Sequence, residues 1–149
     1  MRFPQRIKTD ESGSTMMELA LTLPLLLLIL FGTMDLGRMF YTSITLSGAA
    51  LAGTQYGVAT AANNIDYTGM QTAALNDAAN VSGVVATATS YCECLDGTSV
   101  SCSTGSCTTT STPPSYLKVA TSVTFSTLFS YPFVPSSVPL SAVSVQRVR

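Results

Sequence analysis

From Leu19 to Met34 the chain carries no charged side chain, and one carboxylate, Glu18, stands at the entrance to that run. Extended back to Met16, the stretch rises about 28 Å at ~1.5 Å per residue, close to the ~30 Å hydrocarbon core of a bilayer. A segment of this length and composition is read as a membrane span. Arg2, Arg6 and Lys8 precede it. The positive-inside rule therefore places the N-terminus in the cytoplasm and everything after Met34 on the far side. An acid in a membrane helix costs about 2.5–3.5 kcal/mol at the helix centre and less toward an end. A plain anchor gains by lacking it, so Glu18 asks for a partner. Asp35 and Arg38, three apart on a helix, can pair at the far interface. Pro24 cannot donate to the carbonyl of Ala20, which predicts a kink or a loosened turn.

Composition removes several function classes. A net charge of -1 with 10% charged residues offers no basic surface for nucleic acid. The chain has no histidine, the commonest general base and zinc ligand. It has no phosphate-binding glycine loop and no paired carboxylates beyond Asp10-Glu11. The expectation is a protein that is not an enzyme and needs no cofactor. A membrane-embedded hydrolase built on Glu18 is the formal alternative, but Asp35 stands near the opposite end of the span.

Three readings compete for the N-terminal segment. A cleaved secretory signal wants a small-x-small site soon after its apolar core. The first Ala-x-Ala after it, Ala50-Leu51-Ala52, lies far beyond it. An uncleaved signal anchor is the second reading, giving a single-pass envelope protein with a small exported interaction domain. The third is a prepilin-type signal, cut ahead of the apolar run.

Gly13 followed by Ser14-Thr15-Met16-Met17-Glu18 resembles a type IV prepilin cleavage site. More closely, Gly13 through Tyr56 resembles the TadE-like proteins of tight-adherence (Tad, type IVc) pilus systems. The resemblance rests on Met17-Glu18-Leu19-Ala20-Leu21-Thr22-Leu23-Pro24, on the leucine block, and on Phe31 through Tyr41 with its Asp35-Leu36-Gly37-Arg38. Gly48-Ala49-Ala50 and Gly53-Thr54-Gln55-Tyr56 continue it. The resemblance implies a minor pilin or pseudopilin that serves pilus assembly in adhesion. A prepilin peptidase would cut after Gly13, leaving Ser14 as the new amino terminus. Glu18 would then pair with the terminal amine of a neighbouring subunit. The implied partners are that peptidase, other pilins and pseudopilins, the Tad inner-membrane assembly proteins and membrane lipid. The implied organisation is a cytoplasmic leader over 1–13, an inner-membrane span over 14–37 and a periplasmic domain over 38–149, with possible entry into a pilus.

Beyond the span, a helical extension is expected over 38–62. Ala49, Gly53 and Gly57 recur at i, i+4 and i+8, a small-residue face that lets a partner helix or the chain's own sheet approach closely. Asn63-Asn64 is the expected stop. A second helix is expected from Asp66 to Asn80, capped by Asp66, with Met70, Ala74, Leu75 and Ala78 on one side.

The rest reads as strands. Val84–Cys94 is rich in Thr, Val and Ala. Leu117–Phe129 alternates, with Leu117, Val119, Val123, Phe125 and Phe129 facing one way. Ser130–Pro139, with three prolines, reads as a loop, and Leu140–Val148 as a final strand. The expected fold class is α+β: a long N-terminal helix, a second short helix and a small antiparallel sheet of about three strands. Cys92, Cys94, Cys102 and Cys107 would brace a hairpin over 84–129 whose turn holds Asp96-Gly97. The favoured pairing is nested, Cys94–Cys102 and Cys92–Cys107, with crossed pairing as runner-up. The rival is a four-thiolate zinc site; Cys-x-Cys spacing and an oxidising compartment argue against it. Ser106–Pro114 is expected to be a flexible loop tip. A ligand-binding or adhesin-like module would need an apolar patch, for which Tyr131-Pro132-Phe133-Val134 is the candidate.

Overall fold

The leucine block and the small-residue stretch after it form one element. Helix α1 runs from Ser12 to Ala59 and passes through Pro24 without interruption. The computed structural model describes residues 12–108, 112–129 and 135–148. The leader's Arg2, Arg6, Lys8, Asp10 and Glu11 lie outside the described residues, as does Tyr131-Pro132-Phe133-Val134. The chain divides into two compact units, Met1–Gly37 and Arg38–Arg149.

In the first unit the apolar side chains point outward. Met16, Leu21, Leu25, Leu26, Ile29 and Leu30 are all more than half exposed. In water each such side chain forgoes about 1.5–3 kcal/mol of burial. A surface of this kind is stable in lipid.

The second unit is a sheet with α1 and a short helix packed on one face. A 3-10 turn, Asn63–Ile65, leads into α2, Tyr67–Asp77. Strands β1 (Val85–Glu93), β2 (Ser99–Val100), β3 (Ser115–Ser126) and β4 (Ser137–Arg147) follow. The sheet order is β2-β1-β3-β4, antiparallel throughout. The α+β class is as expected, with four strands among the described residues in place of about three. The extra one is β2, two residues long and too short to announce itself by alternation.

Alternation on β3 sets the faces. Leu117, Val119, Thr121, Val123 and Phe125 are buried, while Lys118, Ser122, Thr124 and Ser126 are exposed. The core joins Ala49 of α1, Met70, Ala74 and Ala78 of the α2 region, and Leu117 and Val119 of β3.

Five expectations need correction. Helix α1 stops at Ala59, ahead of Asn63-Asn64, because Asn63 folds back and its Nδ2 donates to the Tyr56 carbonyl at 2.9 Å, satisfying a last-turn acceptor. Leu75 is 42% exposed, since only Met70, Ala74 and Ala78 follow the core-facing line of α2. Phe129 is 44% exposed because β3 ends at Ser126. Strand β4 begins at Ser137 and includes Pro139; as an edge strand it tolerates a residue without an N–H. In the Ser106–Pro114 tract, Pro113 and Pro114 are buried and the Pro114 carbonyl accepts from Glu93 N at 3.2 Å, so this end is tied to β1.

Candidate functional site

The N-terminal turns of α1 carry the processing and docking candidates. Gly13 and Ser14 lie in the helix's first turn. Glu18 is exposed on the helix surface, flanked by Met16, Met17 and Leu19, which are 74%, 70% and 56% exposed. The Thr22 hydroxyl donates to the Glu18 carbonyl at 3.0 Å, so this polar side chain is satisfied within its own helix. Glu18 thereby stands as an acid on an otherwise apolar surface.

At the other end of the apolar run Asp35 is only 5% exposed. Arg38 is exposed, and its guanidinium carbon lies 5.3 Å from the centroid of the Phe125 ring, within cation–π reach.

The small-residue face of α1 meets the chain's own α2 and β3. A Cβ on Gly53 would stand 2.9 Å from the Met70 carbonyl oxygen and 3.0 Å from Val119 Cγ1. A Cβ on Gly57 would stand 2.7 Å from Leu117 Cδ1 and 2.8 Å from Met70 Cε. Ala49 is fully buried in the same core.

Two polar features tie this helix down. The buried Thr121 hydroxyl donates to the Leu46 carbonyl at 2.9 Å, and the Thr54 and Ser144 hydroxyls are 2.8 Å apart. At the turn into α2, Asp66 Oδ1 accepts from Gly69 N and Asp66 Oδ2 accepts from the Tyr56 hydroxyl, both at 2.9 Å. The Gly69 amide, then the Tyr56 hydroxyl, hold the Asp66 carboxyl below its ordinary range. The same bond to Asp66 pushes the Tyr56 phenol up. Sequence reading found the Asp66 cap but missed Tyr56. Ten residues separate the pair, with no periodic signal linking them.

The four cysteines form two disulfides, Cys92–Cys102 and Cys94–Cys107, with Cα–Cα distances of 5.2 and 5.7 Å. This is the crossed pairing, and it corrects the nested one. The turn is the reason. Gly97, at φ +83°, closes it, with Cys94 N donating to Thr98 O and Gly97 N to Cys94 O. So tight a turn sets Cys94 against Thr98 and Cys92 against Val100. Cys102, two residues past Val100, therefore comes back to Cys92, and Cys94 is left for Cys107.

Fold and site together define a class: a small disulfide-braced α+β domain carried on a long helix whose first half is apolar enough to cross a membrane. Within that class the N-terminal segment is similar to TadE-like proteins. Residues 13–55 match the family model of the TadE-like protein. The match begins at Gly13 and ends within α1, leaving α2 and the sheet outside it. Comparisons with curated proteins and with solved structures gave no match.

Proposed function

We propose that this chain is a minor pilin or pseudopilin of a Tad (type IVc) pilus, inserted with its N-terminus in the cytoplasm. A prepilin peptidase cuts it after Gly13. The match over 13–55, beginning at that glycine and ahead of an apolar helix with Glu18 in its first turns, carries the reading. Cleavage removes Arg2, Arg6, Lys8, Asp10 and Glu11 and creates an ammonium at Ser14, about one turn from Glu18. Glu18 is the docking charge. In lipid it gains most by meeting the amine of a neighbouring subunit. Asp35 and Arg38 mark the outer interface, and the exported domain stands in the periplasm until assembly. The chain is a substrate of the peptidase and a partner of other pilins and of the Tad inner-membrane proteins.

The test is the mature N-terminus, measured by mass spectrometry in membranes with and without a cognate prepilin peptidase. A peptidase-dependent start at Ser14 is expected, and Gly13→Ala should slow or abolish the shortening. An intact leader in both samples would overturn the prepilin reading in favour of an uncleaved single-pass envelope protein.

A further inference from the structure

The end of α1 and the end of β4 form the two walls of a cleft of about 430 Å³, lined by residues 58–61, Asn64, Arg147 and Val148. Its size lies within the ~300–1,000 Å³ typical of small-ligand sites. Both walls are anchored. Val148 packs on the core, and its N–H donates to Ser115 O at 2.8 Å. On the helix side Asn63 N donates to Thr60 O at 3.1 Å, and Asn63 Nδ2 to Tyr56 O at 2.9 Å.

The helix wall is rich in acceptors. A helix leaves its last four carbonyls without intrahelical partners, and they carry partial negative charge. In α1 the Tyr56 carbonyl is met by Asn63, those of Gly57, Val58 and Ala59 follow it, and the last turn holds no basic side chain to offset them. Asn64 adds another acceptor. Its Oδ1 is the one buried side-chain polar atom, among the described residues, without a hydrogen-bond partner. Leaving such an atom unpaired costs about 1–3 kcal/mol. The strand wall brings the opposite charge. Arg147 is exposed, and the residue across from it on β3 is Tyr116, not an acid. Val58, Ala59, Ala61 and Val148 supply short apolar side chains between the two poles.

We propose that this cleft binds a small zwitterion, an amino acid or dipeptide with short side chains, its ammonium on Asn64 Oδ1 and the last α1 carbonyls and its carboxylate on Arg147. An ammonium donates and never accepts, which suits a wall of acceptors, and a cation gains at a helix C-terminus. A guanidinium matches a carboxylate with two parallel hydrogen bonds. A simple amine would be repelled by Arg147 and a simple anion by the helix end, so the two walls together select a ligand carrying both charges. Every residue of the cleft belongs to the second unit, and the proposal stands independently of processing after Gly13.

The test is calorimetric titration of the full chain in detergent micelles with Ala-Ala, N-acetyl-Ala-Ala and Ala-Ala amide. One-to-one binding of Ala-Ala is expected, weakened about tenfold or more by either blocking group, since each removes a charge-assisted hydrogen bond. Arg147→Gln should weaken Ala-Ala by a similar factor and leave Ala-Ala amide unchanged. Asn64→Asp should tighten Ala-Ala and not N-acetyl-Ala-Ala. Circular dichroism checks that both variants keep the native fold. No binding of Ala-Ala at millimolar concentration overturns the proposal and leaves the cleft to water. Equal affinity for the blocked peptides, or undiminished affinity in Arg147→Gln, overturns it as well, because binding then lies elsewhere. A folded Asn64→Asp chain that binds Ala-Ala no more tightly overturns the place given to the ammonium.

Discussion

The hydroxyl of Thr121 donates to the carbonyl of Leu46 at 2.9 Å, joining the middle of β3 to α1 across 75 residues of sequence. Both residues are fully buried. The bond fixes where along the helix the strand sits, and with it which residues of β3 oppose Gly53 and Gly57. Thr121→Val keeps the shape and removes the donor. It should cost about 0.5–1.5 kcal/mol, while Thr121→Ser should retain most of the bond. Denaturant unfolding of the full chain in detergent, followed by circular dichroism, checks the difference.

Gly53→Ala should be the most costly change on the small-residue face. Its Cβ would press on the Met70 backbone oxygen, which cannot swing aside, whereas at Gly57 the obstacles are the ends of Leu117 and Met70. Alanine's helix propensity returns up to ~1 kcal/mol at either site. A net loss of about 1–3 kcal/mol is expected at Gly53 and less at Gly57. Gly48→Ala, where the nearest atom is an Asp77 carboxylate oxygen at 3.2 Å, should be neutral or stabilising. The same unfolding measurement ranks all three.

Stability should fall in acid in a way that depends on Asp66. Its folded pKa lies below the unfolded one, since the Gly69 amide and the Tyr56 hydroxyl bind the charged form. The contribution is complete above the unfolded value of about 3.9 and is lost as pH drops through the folded value. Tyr56 works at the other extreme: its raised pKa makes its contribution complete below the unfolded value of about 10 and lost as pH climbs through the folded value. Asp66→Asn should flatten the acid limb of the melting temperature, and Tyr56→Phe should weaken both limbs. Melting curves across pH read this directly.

Crossed disulfides make a pairwise prediction. Removing Cys92 and Cys102 together, or Cys94 and Cys107 together, should leave no free thiol. Removing Cys94 and Cys102 should leave two thiols that pair poorly, and equal protection in that variant would restore the nested arrangement. Loss of either native bridge should cost about 2–4 kcal/mol. Thiol counting under denaturing conditions, with unfolding curves alongside, tests both statements.

Glu18→Ala should leave shortening after Gly13 largely intact and impair assembly. The charge is proposed to act between subunits and not at the cut. Counting surface pili beside the mature-mass measurement separates the two effects, and normal piliation would remove the docking role.

Local sequence signals determined much of this protein. Sixteen to thirty-four is charge-free but for Glu18, and that alone dictates an apolar helix. Strict alternation over Leu117–Phe125 dictates a strand with one buried face, and Asp66 announces the start of α2 because a cap acts within one turn. The glycine and the motifs after it carried the TadE-like resemblance, matched over 13–55. Tertiary structure decided what depends on register. Gly53 and Gly57 read equally well as a face for another helix or for the chain's own sheet, and only the placement of Met70, Leu117 and Val119 chose the latter. The disulfide pairing followed from a turn too tight to be inferred from cysteine spacing. The bonds from Thr121 to Leu46, Thr54 to Ser144 and Tyr56 to Asp66 join residues with no periodic relation. Their partners are set by how elements stack, and stacking is a property of the assembled core, not of any one segment.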